Sequence, residues 1–288
     1  MTSAWTGGPG EEGLFSVVIL SYRNEAYIRC AIDSVLGQNY PAVELIVVDD
    51  GSPAFSAAGV LSYIESRKGE NLRRARVLCS PVNLGTVKSA NLGLAQARGA
   101  YIKFLGADDA LYDGTVLTRA RACLDADGGG ILVGRVIKCG ADLRPGRPFR
   151  DRFARSLSRR TPRQVWRRLC VHNEIAAPGV FFTRDFFRRF GPFDERYRLL
   201  EDWPAWLRAA RQGVRLPYGD FDAVKYRADA GSATGLNRDY MKDRERAFQY
   251  EIRPYRKDLG PALYLLAWLS LKIRNSTLLR RVYGRMFR

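Results

Sequence analysis

The 288-residue chain has a single histidine, His172, and only three methionines. One imidazole excludes a histidine-rich metal site and most histidine-based catalytic triads. Its five cysteines, Cys30, Cys79, Cys123, Cys139 and Cys170, contain no C-x-x-C pair, and an odd number closes no complete disulfide set. Reduced, mostly buried thiols in a cytoplasmic compartment are therefore expected. No secretory signal is visible; residues 1–13 are Gly-rich and polar and predict a flexible N-terminal tail. No apolar run reaches the roughly 20 residues of a membrane span. The most apolar C-terminal stretch, residues 259–273, is interrupted by Pro261 and Lys272.

Acidic charge is also scarce: 30 Asp and Glu face 47 Lys and Arg, a net charge of +17. Such an excess implies an anionic partner, whether a phosphate substrate, nucleic acid or an acidic membrane surface. Nearly all of it sits in two places. Ten arginines against Asp142 and Asp151 give residues 141–170 a net +8, and nine basic residues against Asp258 give residues 253–288 another +8. The remainder is close to neutral, so a neutral core with two cationic surfaces is expected. Residues 261–288 mix Leu, Trp and Tyr with Lys and Arg, the composition of a helix lying in an anionic membrane interface. The alternative is a C-terminal helix packed on the core with a solvated basic face. No zinc finger, RRM signature or basic heptad is present, so no nucleic acid partner is expected.

With 46% hydrophobic and 27% charged residues the chain buries a sizeable core, which rules out a mainly disordered protein. Apolar runs at 15–21, 43–48, 75–79 and 101–105 alternate with helical patterns near 25–36, 55–67 and 86–97. This alternation predicts an α/β fold with a mostly parallel sheet covered on both faces. Beyond an Arg-rich loop and short helix in 143–168, a strand is predicted at 179–183 and helices at 184–190 and 203–212. Short strands follow at 214–217 and 221–227, then helices at 239–256 and 261–285. The predicted organisation is a domain over 14–235 and a basic amphipathic helical extension over 236–288.

In open α/β sheets ligands bind beyond the carboxyl ends of the strands. Ser21, Asp49-Asp50 and Asp108-Asp109 all fall at such ends. Adjacent carboxylates suit a hard divalent ion that bridges to substrate phosphates, which makes Asp108 and Asp109 candidates. Asp50 is placed to accept hydrogen bonds from a nucleobase or ribose. Glu201-Asp202, at a helix start, offers a general base for an acceptor hydroxyl, or a helix cap favoured by the dipole.

The order of these motifs resembles the family 2 glycosyltransferases, which have a GT-A fold and use nucleotide sugars. The likeness covers residues 15–227 and rests on FSVVILSYRNEAYIRCAIDSVLGQNY, VELIVVDDGS, NLGTVKSANLGLAQARGAYIKFLGADD, GVFFTRDFFRRFGPFDERYRLLEDWPAWLRAARQG and KYRADAGSATG. The resemblance implies nucleotide-sugar binding by Ser21, Arg23, Glu25, Asp50, Asn83, Lys88, Asp108 and Arg227, and acceptor contact at Gly179 and Val180. It implies Mg2+ or Mn2+ at Asp108 and Asp109, with Asp229 as a further ligand. Asp202 matches the catalytic base of inverting members, supported by Glu201. Two departures stand out: Gly106 replaces the first acid of the family's Asp-x-Asp-Asp, and Asp229 stands where a His is common.

The implied function is inverting transfer of a sugar from a nucleoside-diphosphate sugar to a hydroxyl of a glycan or lipid-linked saccharide, in cell-surface polysaccharide biosynthesis. A cytoplasmic protein held peripherally on the inner membrane is the matching location. Two alternatives stay open. A nucleotidyltransferase would release pyrophosphate, and normally carries a Gly-rich phosphate loop that residues 21–25 lack. A degenerate module would bind membrane or anionic glycans without turnover.

Overall fold

The structure, a computed structural model, describes residues 8, 10–128, 130–228 and 237–276. Asp229 and residues 277–288 of the basic C-terminal segment lie outside them. Runs rich in Val, Ile and Leu form four parallel strands, β1 (Glu11–Ser21), β2 (Val43–Asp49), β3 (Leu72–Cys79) and β4 (Gly99–Gly106), in the order β3-β2-β1-β4. Their crossovers are α1 (Ile28–Leu36), α2 (Ala57–Arg67) and α3 (Thr86–Gln96). β1 starts earlier than the sequence predicts. Glu11 pairs with Gly99 and forms an ion pair with Arg74 at 2.5 Å, so residues 11–13 join the sheet and not the tail.

After β4 come β5 (Ala110–Leu111), α4 (Val116–Asp127), β6 (Ile131–Cys139), β7 (Pro145–Phe149), α5 (Asp151–Ala154) and α6 (Pro162–Val171). The chain continues with β8 (Val180–Thr183), α7 (Arg184–Phe190), α8 (Asp202–Arg211) and β9 (Tyr218–Arg227). It ends in α9 (Arg238–Ala247), a π-helical turn at Phe248–Ile252, α10 (Arg256–Leu259) and α11 (Pro261–Asn275). The sheet extends from β4 through β8, β6, β9 and β5, with β7 on β6. β8 is antiparallel to both β4 and β6. The parallel expectation therefore holds for β1–β4 and for the β6–β9 pair, while β8, β7 and β5 join antiparallel. Strand–helix alternation stops after α4, and β6 is followed by a short connection to β7, which forces an antiparallel pair.

Side-chain alternation divides the core. Phe15, Val17 and Ile19 of β1 meet Ile32 and Val35 of α1 and Val116 and Leu117 of α4. Val18 faces the other way, with Ile46 and Val48. There α3 comes so close that a Cβ on Gly93 would run into Val18 Cγ1, with Val48 Cγ2 at 3.2 Å. The largest cluster joins α3, α6, α7 and α8 to Ala247, Phe248, Ile252, Leu259, Ala267 and Leu271. The C-terminal helices are thus part of the core. All five cysteines are free, but only Cys139 and Cys170 are buried; Cys30 on α1 and Cys79 at the end of β3 are exposed, against the expectation of mostly buried thiols.

Register aligns the strand tips. Ser21 pairs with Asp49, Asp49 with Cys79, and Leu20 with Gly106. Gly93→Ala is expected to overpack the α3–sheet contact and cost about 1–3 kcal/mol. Urea denaturation should show a lower midpoint with an unchanged slope; an unchanged midpoint would refute the close approach of α3 to Val18.

Candidate active site

A cleft of about 660 Å³ opens at the aligned strand tips. One wall is the β1–α1 and β2–α2 turns. The Arg23 N–H donates to Ser52 Oγ at 2.7 Å, and Ser52 in turn donates through N–H and Oγ–H to Asp49 at 2.8 and 2.6 Å. Asp49 is therefore a turn brace. Its neighbour Asp50 lines the cleft, 5% exposed, and accepts from the N–H groups of Leu84 and Gly85 at 2.7 and 2.8 Å. Each carboxylate oxygen keeps a lone pair for a ligand.

Gly85 has φ +92°, and a Cβ there would meet the Arg198 carbonyl oxygen at 2.6 Å. Only glycine allows the 198–199 segment to lie so close over the start of α3. That segment is pinned from behind by Asp243 of α9, which is fully buried and accepts from the Arg198 and Leu199 N–H groups at 2.7 Å each. Arg198 Nη2 donates to the Asn83 carbonyl oxygen at 3.1 Å and also to Asn83 Oδ1, and its guanidinium lies 3.6 Å from Asp239. Asn237 and Asp239, at the start of α9, line the cleft themselves. A domain ending at residue 235 would lose this wall.

The opposite side carries Asp108 and Asp109. Asp109, 3% exposed, accepts the Arg227 N–H at 3.0 Å, and Arg227 Nε donates to the Asp108 carbonyl oxygen at 2.9 Å. The Arg227 guanidinium stacks 4.3 Å from the Tyr27 ring centre. Burial first, then the Asp108 charge, pushes Asp109 up to about 8. Burial also raises Asp108, against the opposing charge of Arg227. A Cβ on Gly106 would meet Asp108 Oδ1 at 2.7 Å and Asp109 Oδ2 at 3.3 Å. The Asp108 carboxylate thus fills the space that a side chain at 106 would need.

Beneath this pair lies Lys103 of β4, fully buried, with Nζ donating to the Val180 carbonyl at 3.2 Å and to the Pro178 carbonyl. Burial lowers it to about 7, against the attraction of Asp109. Lys103 holds the segment whose Ala177 and Pro178 line the cleft. At the far end, Glu201 lines the cleft while Asp202 Oδ2 accepts from Asn173 Nδ2 at 2.7 Å and Oδ1 from the Trp203 N–H at 2.6 Å. Burial raises both carboxyls; the Asp202 charge adds to the effect on Glu201, which reaches about 8.

Residues 16–189 match the family described as glycosyl transferase family 2. The chain belongs to that family. It is 28% identical over 191 residues to a PGL/p-HBAD biosynthesis glycosyltransferase of Mycobacterium bovis, spanning 66% of this chain and 67% of that protein. S. aureus TarS has a similar structure, with a TM-score of 0.62 at 21% identity over 91% of this chain; the match spans 43% of the TarS chain. A TarS 1–349 structure in complex with UDP-GlcNAc aligns with a TM-score of 0.58 at 18% identity, over 92% of this chain and 82% of that one. The mannosyltransferase PcManGT from Pyrobaculum calidifontis, solved with GDP-Man and Mn2+, aligns with a TM-score of 0.61 at 16% identity, over 98% of this chain and 82% of that one. The fold is GT-A.

In this family 2 glycosyltransferase the cleft brings together Ser21, Arg23, Asp50, Asn83, Asp108, Asp109 and Glu201. Other expected residues lie elsewhere. Glu25 is exposed beside α1 and Asn24 lines the cleft instead, because the turn after β1 carries the next residue out. Lys88 points to solvent; the cleft face of α3 is Gly85, Thr86 and Ser89, and residue 88 falls off that helical stripe. Arg227 lies behind Asp108 and Asp109 as their brace, outside the cleft lining. Gly179 and Val180 are buried below Ala177 and Pro178, with Gly179 pressed on the Gly134 carbonyl oxygen. Asp202 sits beside Glu201 but outside the lining, and Asp229 lies outside the described residues. Lys103, Arg198, Asn173 and Asp243 are site residues that sequence reasoning missed. Only Lys103, a charge inside the apolar run YIKFL, carried a visible signal.

Among the described residues no cluster of three or more His, Cys, Asp or Glu is arranged for a metal. Asp108 and Asp109 nevertheless fit a Mg2+-type ion that uses one or two carboxylates and completes its shell with phosphate oxygens and water. Two desolvated adjacent acids, Asp109 raised further by the Asp108 charge, are the sites a cation would relieve.

The raised carboxyls give a definite pH response. From the ordinary carboxylate range up to about 8, the folded protein holds protons on Asp109 and Glu201 that the unfolded chain releases, so stability falls as pH rises. His172, lowered to about 3, acts oppositely below its ordinary value, and Lys103 acts oppositely above about 7. The melting temperature of the ligand-free protein should therefore fall between about pH 5 and about pH 7, and Glu201→Gln should flatten the fall. A melting temperature that rises across this window would contradict the buried acids.

Proposed function

We propose that this protein is an inverting transferase that moves a sugar from a nucleoside-diphosphate sugar to a hydroxyl of a glycan or lipid-linked saccharide, in cell-surface polysaccharide biosynthesis. The supporting observation is that Asp50, Asp108, Asp109 and Glu201 line one cleft, with Asp202 next to Glu201 at its far end. In this reading the free lone pairs of Asp50 accept from the base, and Ser21 and Asn83 complete the nucleoside site. Arg23, stacked 5.2 Å from the Tyr22 ring centre, brings positive charge to the diphosphate. Mg2+ or Mn2+ held by Asp108 and Asp109 would neutralise charge on the leaving diphosphate.

Two hydrogen-bond donors to its oxygens favour the ionised form of Asp202, whereas Glu201, in its field, keeps its proton at neutral pH. Asp202 therefore serves as the base. It removes the proton of the acceptor hydroxyl, and that oxygen attacks the anomeric carbon from the face opposite the nucleoside diphosphate. The bond to the diphosphate oxygen breaks and the configuration inverts. Asn173 fixes the Asp202 carboxylate, and Lys103 fixes the 177–180 segment between donor and acceptor.

α11 supports attachment to a membrane surface. Ala267 and Leu271 face the core, while Leu265, Leu266, Trp268 and Leu269 are 40–54% exposed and Lys272 lies 5.9 Å from the Trp268 ring centre. Among the described residues no helix is long and apolar enough to cross a membrane. We place the protein peripherally on the cytoplasmic face of the inner membrane, with α11 in the anionic interface.

Asp202→Asn is expected to lower turnover about 10²–10⁴-fold. It should keep the thermal stabilisation that a screened nucleoside diphosphate gives with Mn2+. Normal release of nucleoside diphosphate with sugar transfer by this variant would exclude Asp202 as the base. The triple change Leu265→Ser, Leu266→Ser and Leu269→Ser should weaken sedimentation with phosphatidylglycerol vesicles; unaltered sedimentation would remove α11 from the membrane contact.

A further inference from the structure

The cleft spans two halves of the sheet. Asp50 and Asn83 follow β2 and β3, whereas β9 is separated from β4 by β8 and β6. Tyr226, near the carboxyl end of β9, lines the cleft in this second half, as do Ala177 and Pro178. The latter two belong to the turn at Ala177–Gly179, which packs against β9. Arg227, the residue after Tyr226, braces Asp108 and Asp109. Tyr226 therefore stands next to the acids assigned to the diphosphate.

A second ring backs Tyr226. Val136 of β6 pairs with Val224 of β9 on one side and with Phe149 of β7 on the other, so Phe149, Val224 and Tyr226 share one face of the sheet. The Phe149 and Tyr226 rings stack there, with centres 5.5 Å apart and planes 12° from parallel. Arg150, next in the chain, adopts left-handed backbone (φ 56°), which a bulky residue reaches only at a cost. Strain of this kind gathers at functional sites. The turn leaves the Arg150 guanidinium 5.0 Å from the Phe149 ring centre, with Nη1 donating to the Asn173 carbonyl oxygen at 3.1 Å. Asn173 in turn donates through Nδ2 to Asp202 Oδ2 at 2.7 Å. Contacts thus lead without a break from the diphosphate acids through Tyr226, Phe149, Arg150 and Asn173 to Asp202. The acceptor lies between the same two ends, because its hydroxyl must meet both the base and the sugar on the diphosphate.

We propose that Tyr226, backed by Phe149, is the platform on which a sugar ring of the acceptor stacks. The inference rests on the cleft being a site of sugar transfer, and goes beyond it by naming the surface that holds the acceptor and the group held there. A pyranose has a face of weakly positive C–H bonds and a rim of hydroxyls. An aromatic ring offers that face an apolar surface with negative charge above its plane. Asp108 and Glu201, in the same lining, supply polar groups for the rim. A nucleobase also stacks on aromatic rings, but the groups that would read its edge, Asp50 and Asn83, stand beyond β2 and β3 in the other half of the sheet.

Saturation-transfer NMR on the full chain reads such a stack directly. The probes are the methyl glycosides of glucose, galactose, mannose and N-acetylglucosamine, and at least one is expected to receive saturation at its ring C–H protons. Tyr226→Phe should keep its affinity, because the ring and not the hydroxyl meets the sugar. Tyr226→Leu, which stays apolar without a ring, should weaken it about threefold or more. Phe149→Ala, at a half-buried position outside the cleft lining, should weaken it in the same direction, and carries the test if the leucine variant does not fold. No saturation of any of the four glycosides, or wild-type affinity in either ring-deleted variant, would overturn the platform. The thermal stabilisation that UDP or GDP gives with Mn2+ should persist in Tyr226→Leu; its loss there would give the ring to the donor and overturn the proposal. The two readings separate cleanly. If neither nucleotide stabilises the wild-type protein while a glycoside binds through Tyr226, the donor site is wrong and the platform stands; if a nucleotide stabilises it and no glycoside binds, the donor site stands and the platform falls.

Discussion

The parallel ladder between β1 and its neighbours β2 and β4 is the constraint on which the rest of the molecule depends. Because Ser21 pairs with Asp49 and Leu20 with Gly106, the turns that follow leave the sheet at one level. Backbone hydrogen bonds carry that alignment one residue further. The Asp50 N–H donates to the Ser21 carbonyl at 2.8 Å and the Ala107 N–H to the Leu20 carbonyl at 2.9 Å. A slip of one residue would reverse every side chain on β1 and scatter the acids that now share a cleft.

The acids are then fixed by neighbours of a different kind. Asp50 is held by main-chain N–H groups of the next loop, Asp109 by the main chain of β9, and Asp202 by Asn173. Each interaction leaves lone pairs directed at a ligand while removing the freedom of the side chain. The same pattern explains why α9 belongs to the catalytic unit: Asp243 spends its carboxylate on two N–H groups of the opposite wall. Preorganised polar groups of this sort favour developing charge without having to reorganise during reaction.

How much of this could be read from the chain follows from where the information lies. Four apolar runs separated by helical patterns made β1–β4 legible, because burial on both faces leaves a continuous hydrophobic signature. The acids at their ends were legible for the same reason. β6 and β7 were not, since their pairing depends on contacts with β8 and β9 far away in sequence. Within the site, the motif order located the turns but not the direction of each side chain. Glu25 and Lys88 fall one residue away from Asn24 and Ser89, which do line the cleft; on α3 one residue is a turn of about 100°, and in the turn after β1 one residue carries Glu25 to the surface. Arg227 was found by motif, but its role as a brace shows only in its two hydrogen bonds. Asp243 had no local signal, because its partners lie 44 and 45 residues earlier in the chain.

The space above Gly106 couples two positions. A Cβ at 106 would lie 2.7 Å from Asp108 Oδ1, the tip of a side chain that can rotate, so any larger residue there moves the Asp108 carboxylate and resets its distance to Asp109. The acidic turn is thus tuned from a position that carries no charge of its own.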